Sequence, residues 1–467
     1  MGSVLRPNGP FNVKRIAVIG AGPTGLAAAK YLVAERVFDT VDIYEQQAEV
    51  GGVWNYTPSL AERVPVPQTS PHVSPAKPVW PKDAAAPIFS NPMYERLNTN
   101  IPKNLMQFSD LDFPSESLLY PSRQDVQKYL IKYSQDIRHL INFSTQVEDI
   151  KLTRVDDQDH WTLVAKSTVT EEESCKEYDA IVVSNGHYSV PWIPDVPGVK
   201  EFGTTYPSVI SHSKIYRSPA SYAGKKVIVV GNAASGLDIG NQISAVCKTP
   251  LLNSVREPAE LPIGVDTKEE VPTIAEFLID DRGVRFEDGR VEKDVDAIIY
   301  CTGYLYSYPF MKSLEPPLVA TGRRTIGLWQ QVFNIAHPTL AFTALSQKII
   351  PFPLSEAQGA AIAKVWSNNI SLLTTEEMEA WERSRVDELG EGTAFHVYGY
   401  PKDAEYINYL HDWVMTAENG FSKEPPFWDE RKRWLRSIYI DVKKRFNETG
   451  GKATTLEELG FHFEEYS

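Results

Sequence analysis

The chain has 467 residues, 42% hydrophobic and 23% charged, which is enough for two or three domains with substantial cores. Its formal net charge of −14 gives no electrostatic reason to approach phosphate backbones or anionic lipid, so nucleic acid and membrane are not expected partners. Three widely spaced cysteines, Cys175, Cys247 and Cys301, suggest neither a disulfide framework nor a thiolate metal site, and no apolar run reaches the roughly 18 residues of a membrane span, so a soluble cytoplasmic protein is expected.

Residues 15 to 45 read as strand, glycine turn, helix and strand: "RIAVIG", "AGPTG", "LAAAKYLVAE" and "VDIYE". Gly20 suits the tight turn, Gly22 lets backbone approach a pyrophosphate, and Gly25 lets the helix pack closely on the strand, so the helix N-terminus faces the phosphates. Glu45 ends the second strand, where a carboxylate accepts hydrogen bonds from ribose hydroxyls and repels a 2′-phosphate. FAD or NAD(H) is the expected ligand there, not NADP(H). In "GGVW", Gly51 to Trp54, the paired glycines permit close backbone approach. Trp54 either covers a face of the ligand or anchors a loop in the core.

Between Pro65 and Pro92 eight prolines fall in 28 residues, which excludes helix and central strand. This segment is either a wall of the substrate entrance, with Trp80 as its notable residue, or a packed surface loop. Further on, "YDAIVVSNGHY" and "VDAIIYCTGYLY" share an acidic start, a β-branched strand and a small-residue turn ending in glycine. They read as buried parallel edges where the chain passes between two nucleotide domains.

Between them lies a second glycine turn, "KKVIVVGNAASG", with Gly231 and Gly236 at the outer positions and Ala233 in the middle. Ser235 is placed to donate to a pyrophosphate. The strand region that follows ends without an acid and offers Ser254 and Arg256. A guanidinium there suits the 2′-phosphate of NADPH, with a solvated surface charge as the alternative. The expected fold is α/β with two Rossmann-like dinucleotide-binding domains, the NADPH domain inserted into the FAD domain. The expected division is 1–190 for the first part of the FAD domain, 191–305 for the insertion, and 306–467 for the second part with C-terminal helices. Ser355 and Gln358 read as a capping pair ahead of a helix carrying Ile362, Val365 and Trp366, and two amphipathic helices follow.

One site holding a flavin and another delivering hydride leaves open where the electrons go. The chain lacks the close cysteine pair that disulfide-reducing flavoenzymes use, and its nine histidines form no metal-binding pattern. A quinone or O₂ remains as acceptor.

At this point the sequence resembles the flavin-containing monooxygenases, class B flavoenzymes that carry FAD and use NADPH and O₂. The likeness runs through "GAGPTG", "GGVW", "MYERLNTNIPKNLMQF", "VSNGHYSVPWIPDVPG", "SHSKIYR", "GNAASGLDI", "CTGY" and "HPTLAFTALSQKIIPFPLSEAQG". The family signature FxGxxxHxxx(Y/F) keeps His212 and Tyr216 but has Tyr206 and Ser208 where Phe and Gly are usual. Arg217 follows Tyr216, so the Trp-Pro ending of Baeyer–Villiger relatives is absent.

The resemblance implies that NADPH reduces FAD, that the flavin forms a C4a-hydroperoxide with O₂, and that a soft sulfur or nitrogen nucleophile of a small molecule takes the distal oxygen. It implies that Asn100 is the catalytic side chain, donating to bound oxygen through an amide with no titratable proton. It places further cofactor contacts at Gly52, Val53, Trp54, Gln107, Val147, Asn232, Thr302 and Gly303, with no metal, and puts the helix after Ser355 near the flavin. His212 and Tyr216 are expected near the NADP(H) site or the linker, or in packing, with the same ambiguity for His187. Asp238 is expected in a structural salt link. Alternatives are an NADPH oxidase or reductase releasing H₂O₂, Baeyer–Villiger oxygenation of a ketone, and a flavin-binding sensor without catalysis. A homo-oligomer is possible on this reading.

Overall fold

Short β-branched runs become inner strands of parallel sheets because both of their faces must be covered. In the computed structural model, which describes residues 10–58, 63–156, 158–256, 267–417 and 423–464, this happens twice. The first sheet has seven strands and is built around Arg15–Ile19, which pairs in parallel with Thr40–Tyr44 on one side and Ala180–Val183 on the other. Leu340–Phe342 continues it beyond Ala180–Val183. The second sheet has five strands, with Val227–Val230 between Leu251–Ser254 and Ala297–Tyr300.

The runs Ala180–Val183 and Ala297–Tyr300 are therefore inner strands, each with a parallel neighbour on both sides, and not the edges their position between domains suggested. Every residue in both is buried. The chain leaves the first sheet through Val190–Pro191 and returns through Tyr304–Leu305. These two short strands pair with each other antiparallel, Val190 opposite Leu305. The second Rossmann-like domain is thus inserted in the first, and the two crossings run side by side.

The helix Pro23–Glu35 follows the first turn and lies against Pro351–Trp366, of which every residue after Pro351 is buried. Their contact is close enough that a Cβ on Gly359 would fall 2.9 Å from the Cα of Ala28. A buried ion pair between Lys364 and Glu35, at 2.9 Å, joins the same two helices. Ser355 and Gln358 do not cap this helix. It begins at Pro351, because proline suits a first turn whose N–H groups have no intrahelical partner. The Ser355 hydroxyl donates to the Phe352 carbonyl, and Gln358 accepts from the Ala344 N–H at 2.7 Å.

A capping box does occur later, where Thr374 and Glu377 start the helix Thr375–Leu389. Helices Lys402–Met415 and Glu430–Glu448 follow, the latter capped by Asp429. Among the described residues no helix is long and apolar enough to cross a membrane.

Candidate functional site

The two glycine turns have nearly the same backbone. Gly20 and Gly231 both have φ of +107°, a region that L side chains rarely adopt. A Cβ on Gly20 would lie 2.6 Å from the Ser184 carbonyl oxygen, and one on Gly231 would lie 2.8 Å from that of Cys301. A Cβ on Gly25 or Gly236 would fall 1.9 or 2.1 Å from the carbonyl oxygen of the turn's own first glycine. These four glycines set the helix against the strand and aim its free N–H groups outward.

The middle position differs, and the difference is informative. Gly22 and Ala233 both have extended backbones, so no conformation requires glycine there. What Gly22 provides is room, since a Cβ on Gly52 would meet its Cα at 3.1 Å. The "GGVW" loop therefore presses backbone against backbone over the first turn. This gives a cradle with the narrow clearance that a pyrophosphate needs.

Both turns open into one cavity of about 2490 Å³, against roughly 300–1,000 Å³ for an ordinary small-molecule pocket. Of the residues singled out from sequence, Gly20, Gly22, Glu45, Gly52, Val53, Trp54, Asn100, Val147, Gly231, Asn232, Ser235, Arg256, Thr302 and Gly303 all line it. Gly25 does not, in keeping with its packing role. Gln107 does not either: its amide donates to Asp112 at 2.6 Å. Among the described residues nine Lys and Arg side chains line the cavity against three carboxylates, in a chain of net charge −14. Such an excess of cations over carboxylates favours anionic ligands.

Glu45 accepts hydrogen bonds from the backbone N–H groups of Ala21 and Gln47, both at 2.9 Å. Burial outweighs these bonds and pushes its carboxyl up to about 7. At the corresponding end of the second sheet, Arg256 lies just beyond Leu251–Ser254 and faces the ring of Trp192, its guanidinium carbon 6.0 Å from the centroid. Acid at one strand end and base at the other fit FAD in the first turn and NADPH in the second.

Asn100 is exposed to the cavity, and its amide has no protein partner among the described residues. The segment before it is tied to the inserted domain. The Tyr94 hydroxyl donates to Asp238, which also accepts from Gln242 at 3.1 Å. These partners replace the salt link expected for Asp238. Arg217 donates to the Asn91 carbonyl at 3.1 Å, and Glu95 N–H donates to the carbonyl of Arg217.

His212 is buried, with Nε2 3.1 Å from the Gly303 carbonyl and Nδ1 accepting from the Lys214 N–H. Burial lowers its pKa to about 3, so it is a neutral strut under Gly303. Tyr216 donates to Gln242 at 3.0 Å and meets the Tyr94 ring edge to face. The His-Tyr spacing thus braces the domain junction. His187 lines the cavity and is also neutral, its pKa lowered by burial to about 4.

The proline-rich segment contributes Pro65, Gln68, Val73 to Lys77, Val79 and Phe89 to Pro92 to the cavity wall, whereas Trp80 is exposed and lies off it. The first turn of the helix Pro351–Trp366 also lines the cavity, through Pro351 and Phe352. Sequence reasoning missed Arg323, which lines the cavity with its guanidinium carbon 4.2 Å from the Trp192 centroid. No motif marks Arg323, and Trp192 lies in the motif "VSNGHYSVPWIPDVPG" without having been singled out. No group of His, Cys, Asp and Glu among the described residues could hold a metal.

Comparison with known proteins shows the family. A family model described as flavin-binding monooxygenase-like matches residues 85–261 and 264–419, and one for an NAD(P)-binding Rossmann-like domain matches 18–74. The thiol-specific monooxygenase of Saccharomyces cerevisiae is 32% identical over 452 residues, covering 92% of this chain and 93% of that protein. The flavin-containing monooxygenase FMO GS-OX3 of Arabidopsis thaliana is 32% identical over 421 residues, covering 85% and 84%. The solved structure of S-allyl-L-cysteine S-oxygenase from Allium sativum aligns with a TM-score of 0.76 at 25% identity, covering 96% and 97%.

Two outcomes follow. Because folding raises the Glu45 pKa from 4.5 to about 7, the native state of the cofactor-free protein holds this proton more tightly than the unfolded chain. Wild type is therefore expected to lose stability relative to Glu45→Gln as pH rises from about 4.5 to 7, by up to about 3 kcal/mol in urea unfolding. A pH-independent difference contradicts the buried carboxyl. Arg256→Ala is expected to raise the KM for NADPH about tenfold or more while barely altering that for NADH. Equal effects on both cofactors would remove the 2′-phosphate assignment.

Proposed function

The chain belongs to the flavin-binding monooxygenase-like family, and from that premise we propose that it oxygenates the sulfur of a small thiol or thioether, using FAD, NADPH and O₂. The observation that carries the reading is Asn100, whose amide faces the one cavity into which both dinucleotide turns open. Bound FAD, once reduced by NADPH, supplies the activation of O₂. The protein's part is to hold the two cofactors against each other and to present a donor that cannot give up a proton.

Each residue contributes in its own way. Gly20, Gly22, Gly52 and the N-terminus of Pro23–Glu35 would hold the FAD pyrophosphate, with Glu45 as ribose acceptor. Gly231, Asn232 and Ser235 would hold the NADPH pyrophosphate, with Arg256 on the 2′-phosphate. Thr302 and Gly303, held by His212 and by the bond from Thr302 to the Trp192 carbonyl, would form the floor between them. The Asn100 amide donates a hydrogen bond to oxygen at the reacting position.

Three ionisable groups that line the cavity at this junction, His187, Cys301 and Tyr304, are neutral at neutral pH. Burial lowers His187 to about 4, raises Cys301 to about 12 and raises Tyr304. Neutral groups of this kind suit a nucleophile that attacks without losing a proton first, as sulfur does. The names of two relatives, a thiol-specific monooxygenase and an S-allyl-L-cysteine S-oxygenase, support sulfur over nitrogen. A dithiol relay is not supported, since Cys175, Cys247 and Cys301 include no closely spaced pair.

The test is the stoichiometry of turnover. With a small thiol or thioether, wild type is expected to form close to one oxygenated product per NADPH consumed. Asn100→Ala is expected to lower product per NADPH by roughly 10- to 100-fold and release H₂O₂ instead, with flavin content unchanged. H₂O₂ released in full by wild type with every thiol and thioether offered would contradict the proposal. So would an Asn100→Ala enzyme as well coupled as wild type.

A further inference from the structure

Arg323 sits where two cations converge without a counter-ion. Its guanidinium lies 4.2 Å from the centroid of Trp192, and that of Arg256 lies 6.0 Å from the same ring. All three residues line the cavity. Among the described residues neither arginine has a carboxylate partner, whereas the adjacent Arg324 is held by Glu382 at 2.7 Å and Glu391 at 2.6 Å. Glu382 and Glu391 are thus committed to Arg324.

The two arginines also come from different domains. Arg256 follows Leu251–Ser254 of the inserted sheet. Arg323 belongs to the returning first-domain segment, where the Gly322 carbonyl accepts from the Tyr306 N–H at 2.8 Å. Gly322 has φ of +74°, and a Cβ there would fall 2.6 Å from Pro71, so the turn that presents Arg323 is tightly fixed. Trp192 lies at the crossing itself, its N–H donating to the Gly303 carbonyl at 3.0 Å.

The geometry points to Arg323 as a second arm for the 2′-phosphate of NADP(H), supplied by the first domain, with Trp192 as the platform that orients it. This rests on the assignment of NADPH to the second turn and of Arg256 to its 2′-phosphate. A guanidinium stays charged and offers a planar fork suited to phosphate oxygens, and stacking on an indole face pre-orients it. Burial and the charge of Arg256 both disfavour the charged form of Arg323, a repulsion that a dianion between them relieves. Recognition of the 2′-phosphate is then shared across the domain junction, and NADP(H) ties the inserted domain to the first in a way NADH cannot.

Titration calorimetry of the FAD-loaded protein with adenosine 2′,5′-bisphosphate and with adenosine 5′-monophosphate tests this without turnover. Wild type is expected to prefer the bisphosphate. Arg323→Ala and Arg323→Gln are expected to weaken the bisphosphate about tenfold and leave the monophosphate unchanged, with Arg323→Lys in between. Flavin content and melting temperature identify any variant that misfolds, and Arg323→Lys then decides. If Arg323 variants bind the bisphosphate as wild type does while Arg256→Ala does not, Arg323 is only a packing contact and the inference fails. Equal loss of both ligands overturns it too. If wild type itself does not distinguish the two ligands, both arginine assignments fall, while sulfur oxygenation, which the stoichiometry measures separately, is untouched.

Discussion

The pairing of Val190–Pro191 with Tyr304–Leu305 is the constraint on which the rest of the site depends. Each dinucleotide turn is determined locally by its own glycines, but nothing local sets one turn against the other. The two crossing strands do, by fixing where the inserted sheet starts and ends relative to the first. His212 holding Gly303, Thr302 bonded to the Trp192 carbonyl, and Tyr94 bonded to Asp238 then stiffen the same junction from three directions. An enzyme that passes hydride between two bound cofactors needs this relative placement more than it needs either binding turn alone.

Charge is distributed to match. The chain is acidic overall, yet among the described residues lining its large cavity cations outnumber carboxylates nine to three, so dinucleotides are drawn to the interior and away from the exterior. Within the cavity the two strand ends carry opposite signs. On the proposed assignment Glu45 would accept from a ribose without a phosphate and Arg256 would receive one with it, so each cofactor would be favoured at its own turn and disfavoured at the other.

Much of this was legible in the sequence where the physics is local. Glycine at a positive φ and a missing Cβ at a helix-strand contact leave a fixed spacing, which is why both turns could be read directly, and counting on from them leads to Glu45 and Arg256, which both line the cavity. The strength of the first-domain helix packing at Gly359 was not legible, because its partner Ala28 is far away in sequence. The start of Pro351–Trp366 lies ahead of the capping pair read at Ser355 and Gln358, because proline is well suited to a first helical turn. Composition excluded regular structure for the proline-rich segment but could not say that Pro65 and Phe89 face the cavity while Trp80 faces out. Asp238 shows the same limit, since its partner Tyr94 is 144 residues away and belongs to another domain. Arg323 has no motif around it, and only the folded junction brings it to Trp192.

The central claim is that this junction guards oxygen activated at the flavin until a sulfur nucleophile arrives. It is tested most directly by reducing the flavin with NADPH in the absence of air, mixing rapidly with oxygenated buffer, and following flavin absorbance alongside O₂ and H₂O₂. The account predicts that O₂ is consumed well before oxidised flavin returns, and that added thiol shortens this delay while suppressing H₂O₂. Oxidised flavin and H₂O₂ appearing together at once, with or without thiol, would contradict it.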